Sequence, residues 1–385
     1  MSVADDNVSV PVAAATADAV RPTCARVSLG ALRRNFRRLR HRLPAAVQVI
    51  GVVKADAYGH GGVAVARALL EEGATYLAVA LVEEARVLRA AGVTAPILLL
   101  TPGYEADAAE VVALDLTPAV SDLGELAALE AVAEREVAVH VKIDTGMGRL
   151  GFDGPGLAHA LDRLSVSSHL RLAGCMSHLA CADEADPTFT RWQIERFTAC
   201  RDAVLTAGFT GVVFHLANTA GLARFPEAWF DAVRPGIGLY GYGTDGAGED
   251  PGLEPVLSLE SRVVRLRDLP AGATVGYGRT FRCRRATRMA ILPLGYADGV
   301  SRALSNRGTV LIEGRRCPII GRVNMDLTCV DVTDVRQARE GSMAVLIGSQ
   351  GGKTISAQAV ADLLGTIPYE VLSNIGARVP RVYAE

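Results

Sequence analysis

A lysine stands directly after a buried-looking apolar run, in Val52-Val-Lys54-Ala-Asp-Ala-Tyr58-Gly-His-Gly61. Burial disfavours the ammonium and drives such a side chain toward the free amine, the state that attacks an aldehyde to form a Schiff base. Read structurally, the same residue is a rim cation paired with Asp56. Further on, Lys142-Ile-Asp144-Thr-Gly-Met-Gly-Arg149-Leu-Gly151 sets two cations around a glycine-rich turn. Its Gly146-x-Gly148-x-x-Gly151 spacing formally matches a dinucleotide fingerprint. The strand before it is the fifth rather than the first, however, and no strand ending in an acidic residue follows about 20 residues later. A loop bending over a ligand, with Arg149 forking a carboxylate, fits the residues better. His178 closes Cys175-Met-Ser-His178, Asn218 and Thr219 follow His215, and Arg234-Pro-Gly236-Ile237-Gly238 completes the set. Amides at Gly236 and Gly238 with the Thr219 hydroxyl make a cradle of the kind that takes phosphate. A phosphorylated ligand, a lysine nucleophile and cationic partners together describe pyridoxal phosphate, whose ring is an electron sink.

All of these residues fall at the ends of short β-branched runs: Val47–Val53, Tyr76–Leu81, Ile97–Thr101, Leu116–Val120, Val137–Ile143, Leu172–His178, Val212–Leu216 and Ala232–Arg234. Helical patterns such as Val63–Glu72, Val82–Ala91 and Phe189–Gly208 separate them. Parallel strands need crossovers of that length, so the pattern predicts an α/β fold, a (β/α)8 barrel over residues 23–245. A doubly wound open sheet is the alternative. In such a barrel, reactive side chains belong at the C-terminal strand ends. Ahead of the strands, Ser28 caps a helix whose Leu29, Leu32, Phe36, Leu39 and Leu43 share one face, with Pro44 as its stop. Its other face carries Arg33, Arg34, Arg37, Arg38, Arg40 and Arg42, which read as a solvated stripe. Past the turn-rich Gly243–Gly252 linker, β runs bounded by Gly, Pro and Asp follow with one late helix, Ser356–Leu364. Residues 246–385 therefore read as a mainly antiparallel β domain, and residues 1–22 as a flexible lead.

Composition removes other classes. The 385 residues are 50% apolar and 21% charged, with 40 Lys plus Arg against 42 Asp plus Glu, a net charge of −2. That balance gives no electrostatic basis for a nucleic-acid partner, and so apolar a chain is not disordered. No apolar stretch approaches the roughly 20 residues of a membrane span. The acidic opening Met1-Ser-Val-Ala-Asp-Asp6 is unlike a signal peptide, so a cytoplasmic location is expected. Seven scattered cysteines without a C-x-x-C pair read as reduced thiols, neither a disulfide framework nor a metal site.

At the level of whole motifs the chain resembles the alanine racemases, fold-type III pyridoxal-phosphate enzymes. The resemblance runs over residues 24–385. It rests on Val53–Gly61, Lys142–Arg149, His215–Thr219, Arg234–Gly241, Val275-Gly-Tyr277-Gly278, Gly295–Gly299, Gly321–Asp326 and Arg378-Val-Pro-Arg381. It implies that Lys54 carries the cofactor and acts as one catalytic base, and that Tyr277 of a second subunit is the other. It further implies Arg234 at the pyridine nitrogen, His178 supporting Arg234 and the ring, and Tyr58, Asn218, Thr219, Gly236, Ile237 and Tyr369 around the cofactor and its phosphate. Arg149 and the Met325 backbone would take the substrate carboxylate. Lys142 matches a position carbamylated in some relatives. The implied assembly is a homodimer with shared sites that acts on a small amino acid and supplies D-alanine for peptidoglycan. Chemistry agrees with two bases, because one group cannot easily serve both faces of a planar carbanion. Arg234 can only donate, which leaves the ring nitrogen unprotonated and weakens the sink. That disfavours an amino-acid decarboxylase, and a second domain disfavours a non-catalytic cofactor carrier. Asn324 stands where many relatives carry Cys, which keeps a broader-specificity or serine racemase open. Thr219, in place of the more frequent Ser, keeps the hydroxyl.

Overall fold

A computed structural model of the protein describes residues 21–243 and 252–385. All but the last two residues of the expected N-terminal lead, and all but the two ends of the Gly243–Gly252 linker, lie outside the described residues. Two compact units share the chain. One comprises Ser28–Leu257, Ser356–Asn374 and the last two residues; the other takes the chain up to Val27, Ser258–Ile355 and Ile375–Tyr383.

In the first unit eight strands close into a barrel: Gln48–Val52, Tyr76–Val79, Ile97–Leu99, Leu116–Val120, Val137–Lys142, Leu170–Met176, Val213–His215 and Ala232–Val233. Gln48 and Val49 pair in parallel with Ala232 and Val233, sealing the last strand to the first. Strands covered on both faces run apolar throughout, and every residue of Leu116–Val120 is buried. Seven of the eight strands stop one or two residues short of their apolar runs, and two of these ends leave candidate residues beyond the strand. Leu170–Met176 leaves His178 in the following loop, and Ala232–Val233 stops before Arg234 because Pro235 has no N–H to continue the ladder. Pro235 still offers its carbonyl, which accepts from Val52 N at 3.2 Å.

The opening helix is Leu29–His41, with Ser28 Oγ accepting from Ala31 N at 3.1 Å. Its arginine stripe is fully engaged. Arg33 pairs with Glu71, Arg34 and Arg38 with Glu254, and Arg37 with Glu72, while Arg40 and Arg42 donate to carbonyls of Ala45 and Ala223. The late helix Ala357–Leu364 and its successor Pro368–Ser373 pack with this barrel unit rather than with the β unit in which the sequence places them. Gly59 shows how closely: a Cβ there would lie 2.4 Å from Leu372 O.

The second unit holds a seven-stranded sheet ordered Arg315–Pro318, Thr309–Ile312, Met343–Gln350, Leu257–Arg262, Cys24–Ser28, Arg381–Ala384, with Lys353–Ile355 on Met343–Gln350. A three-stranded antiparallel sheet joins Arg265–Leu269, Thr287–Leu292 and Thr328–Asp331. The first described strand, Cys24–Ser28, thus belongs to this unit's sheet and not to the barrel. Cys24–Ser28 alternates burial residue by residue, as a strand with one covered face does. An ion cluster explains three motifs at once. Asp298, fully buried, takes Arg21 on both carboxylate oxygens (2.7 and 2.6 Å) and Arg378 at 3.4 Å, and Arg378 also reaches Asp326 at 2.7 Å. All seven cysteines are free. No helix among the described residues is long and apolar enough to cross a membrane.

Candidate active site

Strand Gln48–Val52 hands the chain to Lys54 through a turn of unusual hand. Ala55, Asp56, Ala57 and Tyr58 hold φ at 53°, 51°, 54° and 54°, a left-handed turn built without glycine. Each such L-residue costs about 1–2 kcal/mol, so the surroundings must impose the conformation. Glu84 accepts from Ala55 N and Asp56 accepts from Gly62 N, each at 2.6 Å, while Ala57 N donates to Val53 O at 2.8 Å. Asp56 is therefore occupied as a backbone acceptor and makes no ion pair with Lys54. Lys54 is driven toward its free amine by burial first and by the Arg149 cation second, against an opposing Glu84.

Lys54 and Tyr58 line a cavity of about 360 Å³ at the C-terminal ends of the barrel strands. Eleven of the thirteen residues singled out above share that lining: Lys54, Tyr58, Lys142, Arg149, His178, Asn218, Thr219, Arg234, Gly236, Ile237 and Tyr369. Four of them are Lys or Arg, and no Asp or Glu joins them. Crowded cations raise the cost of each charge. Lys142, 7% exposed, is pulled down to about 8 by burial and then by Arg149 and Arg234. Burial lowers the Arg234 guanidinium to about 9, still a cation at neutral pH. His178 is held near 3 by burial and by Arg234, and so stays neutral. A site of this kind attracts an anionic ligand.

Arg234 is fixed by acceptors alone. Nη1 donates to His215 Nδ1 (2.6 Å) and His215 O (2.8 Å), and Nη2 to Ser177 O (2.6 Å), Leu216 O (3.1 Å) and His178 Nδ1 (3.4 Å). Behind it, His215 Nε2 meets His140 Nδ1 at 2.8 Å. Just beyond the same two strands, the amides of Gly236 and Gly238 donate to Thr219 Oγ1 at 3.0 and 3.3 Å. Those amides are thus spent on the hydroxyl, whose own proton remains to donate outward. The Tyr58 ring sits 4.8 Å from Tyr240 and 5.8 Å from Tyr369, and a Cβ on Gly236 would meet the Tyr58 hydroxyl at 2.5 Å. Three hydroxyls, from Tyr58, Thr219 and Tyr369, therefore gather in one wall of the cavity.

The Arg149 loop has its own frame. Asp144 Oδ1 accepts from Gly146 N and Gly148 N at 2.8 and 3.1 Å, and Gly151 is obligatory, since a Cβ at its φ of 127° would press within 2.6 Å of Asp144 N. A buried network the sequence reading missed ties that loop to His178. Gln193 accepts from Ala180 N, donates to His178 O and reaches Thr145, which bonds Ser177. His140 was missed too, although a lone imidazole inside Val137-Ala-Val-His-Val141 is a visible signal. The remaining two candidates belong to the β unit. Tyr277 is 71% exposed and Met325 52% exposed; Tyr296 N and Ala297 N donate to the carbonyls of Asn324 and Met325 at 3.0 and 3.1 Å.

One stability prediction follows from the histidine pair. A Cβ on Gly174 would fall 2.6–2.7 Å from three atoms of the His140 ring. Gly174→Ala should destabilise the protein by about 1–3 kcal/mol, read as a lower urea midpoint at unchanged slope. An unchanged midpoint would show that the ring has room to move.

Known proteins agree with this geometry over nearly the whole chain. Residues 27–244 match the family model described as the alanine racemase N-terminal domain, and residues 256–383 the alanine racemase C-terminal domain. An alanine racemase of Sorangium cellulosum is 45% identical over 383 residues, covering 95% of this chain and all of that protein. The solved alanine racemase of Streptomyces coelicolor A3(2) superposes with a TM-score of 0.90 at 36% identity, over 96% of this chain and 100% of that one. That of Bacillus anthracis gives 0.91 at 35%, over 96% of each chain. With two family models spanning the closed barrel and the antiparallel β unit, and relatives of this identity covered over their whole length, the chain belongs to the alanine racemase family of amino-acid isomerases.

Proposed function

We propose that this chain is a pyridoxal-phosphate-dependent racemase that interconverts L- and D-alanine by handling protons on both sides of the substrate Cα, at sites completed between two copies of the chain. The cavity around Lys54 carries this reading: four Lys or Arg side chains, no carboxylate, and among them a lysine that burial drives toward its free amine. That donor set fits the cofactor. A phosphate would take the Tyr58, Thr219 and Tyr369 hydroxyls, an aldehyde would take Lys54, and a ring nitrogen would take the donor-only Arg234. When bound, the group supplies the electron sink that acidifies the Cα–H bond.

The chain's own residues do the rest. Arg149, presented by the Asp144-centred loop, holds the substrate carboxylate together with the Met325 backbone. Lys142, lowered to about 8 by burial and by Arg149 and so partly a free amine just above neutral pH, is suited to carbamylation, which would convert it to an anion orienting that guanidinium. Lys54 takes or returns the Cα proton on one face, and Tyr277 on the other. On the β unit, Tyr277, Tyr296, Met325 and Leu327 leave aromatic and apolar surface exposed, by 71%, 43%, 52% and 39%. Such a surface fits coverage by a second subunit. The product would feed peptidoglycan synthesis in the cytoplasm.

The Bacillus anthracis relative is solved with L-Ala-P bound, which agrees with alanine as substrate. One observation favours a second, broader reading. Asn324 Oδ1, next to Met325, is buried and unpartnered among the described residues, an acceptor suited to a serine hydroxyl. The test is kcat/KM for L-alanine against L-serine with cofactor-loaded protein. Alanine should win by about 10–200-fold, the range one added hydroxyl allows in a close-fitting site. Equal or reversed values would establish the broader racemase, and no turnover of either would remove the reading.

A further inference from the structure

The wall behind Arg234 contains a row of hydrogen bonds whose direction is forced. A guanidinium donates and cannot accept, so His215 Nδ1, 2.6 Å from Arg234 Nη1, must present its lone pair. Burial holds both His215 and His140 neutral, with Arg234 adding to the effect. A neutral imidazole has a single proton, and in His215 it must sit on Nε2, the atom 2.8 Å from His140 Nδ1. His140 therefore accepts at Nδ1 and carries its own proton on Nε2. That last atom is buried and meets no acceptor among the described residues. The row runs one way, Arg234 to His215 to His140, and ends at the His140 Nε2–H.

His140 Nδ1, facing His215, is thus the ring nitrogen with a protein partner among the described residues. The ring is also held where it is. It lies against the bare backbone of Gly174, where a Cβ would approach within 2.6 Å, and 6.1 Å from the Tyr76 ring.

We propose that His140 is a positioning residue: by accepting from His215 Nε2 it locks His215 in the tautomer that turns a lone pair to Arg234, and so fixes the guanidinium at the cavity wall. Without that acceptor, His215 either buries an unmet Nε2–H or moves its proton to Nδ1, where it opposes the Arg234 donor. Two donors face to face would push the guanidinium aside. The link from Arg234 to a cofactor ring nitrogen rests on the function proposed above; the tautomer itself does not.

The experiment separates the two. Nitrogen-15 spectra of histidine-labelled, cofactor-free protein, which has seven histidines, should show His215 with a bare Nδ1 and a protonated Nε2. In His140→Phe that state should be lost or mixed, and in His140→Gln, whose amide oxygen can accept, it should return. Adding pyridoxal phosphate gives a second readout. His140→Phe should bind it about 10-fold more weakly with a shifted absorption maximum, and His140→Gln should recover most of both. If His140→Phe fails to fold, the wild-type and His140→Gln spectra still decide. A protonated His215 Nδ1 in the wild type, or a His140→Phe protein with wild-type tautomer and wild-type cofactor spectrum, overturns the proposal. Loss of cofactor binding in the wild type would count against the proposed function and leave the tautomer assignment standing.

Discussion

Lys54→Ala is expected to lower kcat/KM for alanine in both directions by at least about 10⁴-fold, because one change removes both the covalent tether and a proton-transfer group. The fold should survive it. Lys54 makes no ion pair with Asp56, and the left-handed turn after it is held by Glu84, Asp56 and Val53 through backbone groups. Circular dichroism and the thermal midpoint should therefore match wild type while the visible absorption of lysine-bound cofactor disappears. Borohydride trapping of the wild type should leave the cofactor's mass on the peptide carrying Lys54. Trapping on Lys142, the other lysine lining the cavity, would overturn the assignment of the tether to Lys54. Half or more of wild-type activity in Lys54→Ala would remove the residue from the chemistry.

Tyr277→Phe should behave differently. Loss of one general acid–base group costs about 10²–10⁴-fold in kcat. KM should change little, because the phenol meets a proton and not the carboxylate. Since the side chain is 71% exposed in the chain, stability should stay within about 0.5 kcal/mol of wild type, and cofactor absorption should persist. The decisive signature is asymmetry. In deuterated solvent the variant should exchange the Cα hydrogen of the one enantiomer that Lys54 serves, without inverting it. Equal slow exchange from both enantiomers would mean that tyrosine is not a face-specific base.

The barrel was legible because strands covered on both faces must be apolar and β-branched, a demand that leaves runs such as Ile97-Leu-Leu99 visible in any reading. That eleven of the candidate residues line one cavity was legible for a related reason: strand ends in a barrel converge, so their order along the chain maps onto one cavity. What escaped detection obeys tertiary demands with little sequence trace. Cys24–Ser28 is too short to reveal which sheet it joins, and Ser356–Asn374 looks like any helical segment until Gly59 is seen against Leu372. The turn at Ala55–Tyr58 uses residues with no left-handed preference; only Gly59 and Gly61 beside it hint at unusual backbone. His140 escaped notice and His215 served only as a motif position, because the directionality that gives them a role comes from Arg234, far away in sequence. Gly236 and Gly238 were legible as a cradle, but not that their amides close on Thr219.

The most direct measurement mixes two inactive proteins, Lys54→Ala and Tyr277→Phe, and follows alanine racemisation after subunit exchange. If each site draws its amine from one chain and its phenol from the other, the heterodimer holds one intact site and one doubly damaged site. Activity should then rise to about half the wild-type value per heterodimer. Exchange confirmed by mass spectrometry with no recovery of activity would contradict the shared site, and with it the placement of Lys54 and Tyr277 on opposite sides of the substrate.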